Sequence, residues 1–194
     1  MPLHRDLTGP QLHEPKGAAA ASSGQVYVAN GSGSGTWTAL SSLVSLPIVV
    51  RKTADTSSTD ATLADDTHLT GMSLSGSTVY RVEGDLYWNN VDGTTAGIKM
   101  TFAVDTGSLT GSQVFWTNLD PDNGTVQSSG ENAVTDTFTV SATSGTDYCH
   151  TRISGYISVN SAATLSLQFA QDTVDGSNAT VLYEGSALSF SVTS

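Results

Sequence analysis

The chain has one cysteine, Cys149, so no intrachain disulfide can staple it. Basic residues are scarce: seven Lys and Arg against eighteen Asp and Glu give a net charge of −11 and a pI near 4.3. Such a surface repels phosphate backbones and anionic lipid heads, which argues against nucleic acid as a partner. No apolar run approaches the length of a membrane span, so no membrane partner is expected. The N-terminus lacks the basic-then-apolar pattern of a secretory signal. Lys, Arg and Glu are few while Gly, Ser, Thr, Val and Asp are many, which favours sheets and turns over helices.

Signatures of chemistry are equally sparse. The Gly-Ser run at 31–35 lacks phosphate-loop spacing and reads as a linker. His4, His13, His68 and His150 are scattered without metal-ligand spacing. Asp120, Asp122 and the following Asn-Gly read as a turn, because a calcium loop needs a different spacing and a distal Glu. Glu83 and Asp85 share a strand face with Arg81, which reads as a solvated exterior and not as a hydrolytic carboxylate pair. Cys149 and His150 are adjacent within a strand pattern, so they point to opposite faces and cannot act on each other. The expectation is a protein without catalytic residues, metal or cofactor.

What is present is alternation. In residues 78–88, Tyr80, Val82, Gly84, Leu86 and Trp88 share one parity, while Arg81, Glu83 and Asp85 share the other. In residues 96–104, Ile98, Met100 and Phe102 alternate with Lys99 and Thr101. A period of two marks a half-buried strand. The Asn-Asn-Val-Asp-Gly run between them is turn chemistry, so the two segments are expected to form a long hairpin with one apolar face.

Further strands are expected at residues 46–53, 69–74, 113–117, 134–140, 148–159, 165–169, 181–183 and 188–192, with a loop at 55–60. About eight to ten short strands at regular spacing predict an all-β, antiparallel, jelly-roll-like sandwich over residues 46–194. Of the aromatic residues Tyr87, Trp88, Phe115, Trp116, Tyr148, Tyr156 and Tyr183, most are expected in the core or an interface. Exposed ones would be able to stack on sugar rings.

Residues 1–45 differ in character. They hold three of the prolines by Pro15, a short strand candidate at 25–29 and a flexible Gly-Ser link ending at Trp37. Ordering such an arm costs about 1–2 kcal/mol per residue in backbone entropy, with few apolar groups to offset it. It should be mobile alone, and held by sister subunits or a larger assembly when ordered.

The arm also carries a resemblance. His4-Arg-Asp-Leu-Thr-Gly9, His13-Glu-Pro15-Lys16-Gly17 and the Val-Tyr-Val-Ala-Asn-Gly-Ser-Gly-Ser-Gly-Thr-Trp run at 26–37 resemble the start of structural proteins of tailed bacteriophages. The segments at 78–84 and 97–102 are similar to the β-rich bodies of such proteins. The resemblance implies a homotrimeric decoration, cement or head-fibre protein on the outer surface of the capsid, or a tail-fibre component. It implies the major capsid protein as partner, with His13, Pro15, Lys16, Gly17, Tyr27 and Trp37 as arm contacts. The alternative is a fibre protein that binds host-surface glycans.

Overall fold

The computed structural model describes residues 21–32, 34–40, 43, 45–90, 97–119, 126–140 and 148–193. The chain divides into two compact units, Met1–Leu46 and Pro47–Ser194. No α-helix occurs among the described residues.

In the first unit, β1 (Gln25–Ala29) and β2 (Gly35–Ala39) pair antiparallel, with Tyr27 directly opposite Trp37. The Gly-Ser link is therefore a hairpin loop. The Asn30 carboxamide oxygen accepts hydrogen bonds from the backbone N–H of Ser32 and Ser34, and Asn30 N–H donates to the Ser34 carbonyl. A side chain that caps its own loop in this way turns the chain back, which flexible Gly-Ser composition alone does not reveal.

The second unit is an all-β antiparallel sandwich, jelly-roll-like, as expected. Short strands come first: β3 (Ile48–Arg51), β4 (Thr56–Ser58), β5 (Ala64–Asp65) and β6 (Met72–Leu74). The long strands β7 (Thr78–Asn90) and β8 (Ile98–Leu119) follow, then β9 (Val126–Asn132) and β10 (Phe138–Val140). The longest, β11 (Cys149–Gln171), precedes β12 (Thr180–Leu182) and β13 (Ala187–Val192). The segment expected to be a loop at 55–60 contains β4, which pairs with β12.

The pairing departs from the expected hairpin. β7 and β8 are not neighbours, because β11 lies between them and pairs with both. Asn89 and Asn90, read as turn residues, continue β7 and pair with Val181 and Thr180. The Asn90 carboxamide donates to the Thr180 hydroxyl at 2.9 Å, so a polar residue is satisfied inside the sheet. Residues 91–96 lie outside the described set. Alternation identifies which face a residue occupies; it does not identify the strand beside it.

β8 and β11 each join segments that read as separate strands. Register shifts at Ser158–Leu165 bend the pair, dividing each strand into two halves. The C-terminal half of β8 pairs with the N-terminal half of β11, flanked by β9 on one side and β7 on the other. The N-terminal half of β8 pairs with the C-terminal half of β11, flanked by β10, β5 and β6. The inward parity gathers Val82, Leu86, Trp88, Phe102, Ile153, Ile157, Leu165, Leu167 and Phe190 into one core. Each such side chain contributes about 1.5–3 kcal/mol when fully buried. Trp116 of β8 stacks on Phe138 of β10, with ring centroids 5.6 Å apart.

One ionic pair sits inside this framework. Lys52 and Asp66 are both fully buried and bonded to each other, and the Lys52 ammonium also donates to the Thr56 hydroxyl at 2.7 Å. The second Asp66 oxygen accepts from the N–H groups of His68 (2.9 Å) and Leu69 (2.8 Å). Burial pushes the Asp66 carboxyl up. The hydrogen bonds from Lys52, Leu69 and His68, with the Lys52 charge, outweigh it and hold the carboxyl below its ordinary value.

Gly107 lies at the β8 bend with φ of +82°, and a Cβ there would collide with the Ala162 carbonyl, whereas Gly111 has open space. Gly107→Ala should cost about 1–3 kcal/mol in urea unfolding and Gly111→Ala less than about 0.5 kcal/mol. Equal costs would contradict the bend as described. For the ion pair, the Asp66 pKa is lower folded than unfolded. Its contribution is therefore complete above the unfolded carboxylate value of about 3.9 and disappears as pH falls through the folded value. Asp66→Asn should cost about 3–5 kcal/mol at neutral pH, because it strands a buried cation. The deficit relative to wild type should shrink on acidification, and a deficit constant down to pH of about 2 would remove the role assigned to the pair.

Candidate binding surfaces

Of the six residues expected to contact a capsid, His13, Pro15, Lys16 and Gly17 lie outside the described residues. Tyr27 and Trp37 are brought together by the β1–β2 register. Their rings meet edge to face at 5.4 Å, and both are half-buried. Because side chains opposite each other on one face of a two-stranded sheet are in reach, the pairing is a direct product of the hairpin loop length.

The second unit presents a broad outer face over β9, β8, β11 and β7. Parity sorts its aromatic residues. Trp88 and Trp116 point inward and are buried, whereas Tyr87, Phe115, Tyr148 and Tyr156 are 39%, 43%, 57% and 44% exposed. At one end of this face Tyr87 stacks on His150, its cross-strand partner, at 4.8 Å. The His150 Nε2 lies 2.7 Å from Asp85, and the Arg152 guanidinium lies 3.6 Å from the same carboxylate oxygen. Tyr148 and Tyr183 meet edge to face at 4.7 Å. Burial, then the neighbouring Tyr148, raise the Tyr183 phenol above its ordinary value, against a hydrogen bond from Asn89 that lowers it.

Nearer the β8–β9 edge the face is concave. A groove of about 390 Å³ is lined by Ser112, Gln113, Glu131, Asn132, Asp136 and Tyr156, among others. Strand register places these groups. Tyr156 is opposite Gln113, and Glu131 is opposite Phe115. The Gln113 amide donates to Glu131 at 3.3 Å, and the Trp116 indole N–H donates to the Asn132 carboxamide oxygen at 3.1 Å. Val134 N–H donates to the Ser112 hydroxyl, and the turn that carries Asp136 closes through its N–H to the Ala133 carbonyl. A second groove, of about 580 Å³, shares Ser112 and Ala133 with the first and continues past Ser108 and Thr110.

The residues weighed for catalysis do other things. Glu83 pairs with Arg81 at 2.7 Å on the exterior. Cys149 is buried beneath the sheet, while His150 lies on the outer face, so the strand separates them. Asp120 and Asp122 lie outside the described residues. No group of three His, Cys, Asp or Glu side chains suited to a metal occurs among the described residues. The groove went unread in the sequence because its lining comes from positions 112 to 156, joined only by register, with no motif among them.

No protein-family model matches the chain, and no curated protein matches it. Among solved structures, a chain in the structure of infectious bursal disease virus Gx strain is similar over 85% of this chain and 42% of that chain. The identity is 13% and the TM-score 0.19. The chain thus spans less than half the length of that neighbour, and a TM-score this low carries neither fold nor function across.

Proposed function

We propose that this chain is a structural protein of a tailed-phage particle, a decoration or cement protein on the outer surface of the head. In this reading it assembles as a homotrimer on the major capsid protein, attached through its N-terminal unit, with the sandwich as an outward knob. The observation that carries the reading is the contrast between the units. Pro47–Ser194 contains a complete core, while the described part of the first unit is a single hairpin. A two-stranded hairpin is marginal alone in water, and its Tyr27–Trp37 pair gains from a surface to pack on. Attachment across shell subunits favours the assembled state by linkage. The acidic charge suits an exterior better than a nucleic-acid-filled interior.

A second reading is a head-fibre or tail-fibre protein that holds host-surface glycans. It is supported by Tyr87, Phe115, Tyr148 and Tyr156, all exposed on one sheet face. Tyr rings combine an apolar body with a polar handle, as a sugar ligand requires.

The attachment reading is tested on undecorated particles. Tyr27→Ala and Trp37→Ala should each weaken particle binding by about tenfold or more, with the unfolding of the sandwich unchanged. Deletion of residues 1–46 should abolish binding. If the deleted protein still decorates particles, attachment through the N-terminal unit is wrong.

A further inference from the structure

We infer that the outer face of the six strands β9, β8, β11, β7, β13 and β3 is the contact between copies of this chain. The β9 side of one copy, with Phe115 and Glu131, meets the β3 side of the next, with Val49 and Arg51. The inference rests on the homo-oligomer of the first reading above and gives it a contact face and a charge pair.

Composition singles out this face. Arg51, Arg81 and Arg152, the three arginines of Pro47–Ser194, all point outward on it. Val49, Val79, Tyr87, Phe115 and Tyr156 are exposed on the same face. Protein interfaces concentrate arginine and aromatic side chains, which bury large areas and pair specifically. The other half of the sandwich differs. Its strands turn Ser73, Lys99, Thr139 and Gln168 outward, and among the described residues they expose no large apolar side chain. A sheet packed on its core needs only polar cover on the outside. Apolar groups gathered on one outer face and missing from the other therefore mark a contact surface.

Charge identifies the partner as a second copy. At −11 each, two copies repel over most of their surfaces. On this face the three arginines are matched by Glu83, Asp85 and Glu131. Arg81 is bonded to Glu83 at 2.7 Å, and Arg152 lies 3.6 Å from Asp85. That leaves Arg51 and Glu131, both exposed and neither in an ion pair among the described residues. Register runs one row from Glu131 through Phe115, Ser154, Glu83 and Ser189 to Val49, two residues from Arg51. At about 4.8 Å between strands, Glu131 and Arg51 stand about 24 Å apart across the sheet, too far to pair within one chain. Between copies they are complementary. Each also brings an apolar neighbour, Phe115 beside Glu131 and Val49 beside Arg51. A basic partner would oppose the arginines and an acidic one the carboxylates, whereas a copy offers both signs in equal number. Every copy carries both ends of the contact, as a closed homo-oligomer requires.

The experiment is analytical ultracentrifugation of the full chain over a concentration series. Wild type should assemble, and Arg51→Glu and Glu131→Arg should each weaken assembly by about tenfold or more. The double variant exchanges the two signs and should recover affinity to within about threefold of wild type. Phe115→Ala should weaken assembly by about tenfold. Lys99→Glu and Asp65→Arg make the same charge changes on the other half and should alter assembly by less than about twofold. Thermal unfolding verifies that each variant keeps the wild-type fold. A wild type that stays monomeric overturns the inference and the homotrimer with it, while particle attachment through the N-terminal unit is still decided by its own binding test. Assembly that survives both single variants, or that the double variant does not restore, overturns the face assignment and leaves the homotrimer standing. Rescue in a two-copy assembly sustains the contact and overturns the trimer.

Discussion

The pairing of β11 with β8 is the constraint on which the rest of the sandwich depends. Both strands run past twenty residues, and each serves both halves of the sandwich by bending at shared register shifts. β11 also separates β7 from β8, so β12 and β13 join the sheet along the other edge of β7. The bend preserves parity: Ile153 and Ile157 before it, and Leu165, Leu167 and Phe169 after it, all point inward. Several polar groups trapped inside are paired where strands meet. The Trp88 indole donates to the Thr151 hydroxyl, which donates to the Asn118 carboxamide, crossing β7, β11 and β8 in one chain of hydrogen bonds.

The same strand order constructs the outer surface. Because β11 stands between β7 and β8, His150 lies beside Tyr87 on one edge while Tyr156 lies beside Gln113 on the other. The two candidate surfaces of the body are thus consequences of one non-sequential pairing. The Lys52–Asp66 pair works from the opposite direction, tying the end of β3 to a turn whose Asp66 N–H bonds the Leu167 carbonyl of β11.

The faces were legible in the sequence and the neighbours were not. Tyr80, Val82, Leu86 and Trp88, and likewise Ile98, Met100 and Phe102, are buried as their alternation requires, and Arg81, Glu83 and Tyr87 are exposed, whereas Thr101, expected on the outer face, is buried too. Their separation by β11 was invisible, since that depends on a strand some sixty residues further on. The expected strands leave breaks at 105–112, rich in Gly, Ser and Thr, and at 160–164, where both strands in fact run on, because a bulge uses the same residue types as a turn. Lys52 is buried with a partner fourteen residues away, a pairing that strand patterning does not signal. Tyr27 and Trp37 were singled out by motif resemblance, and their contact follows from a loop capped by Asn30.

We propose that a self-sufficient sandwich is carried on a particle by a small N-terminal unit and repeats with the shell lattice. The most direct measurement is the amount of this chain in purified particles, by quantitative mass spectrometry against the major shell protein. A fixed, stoichiometric ratio to the shell protein is predicted. A few copies per particle would place the chain on a fibre or tail, and its absence from particles would contradict the virion account altogether.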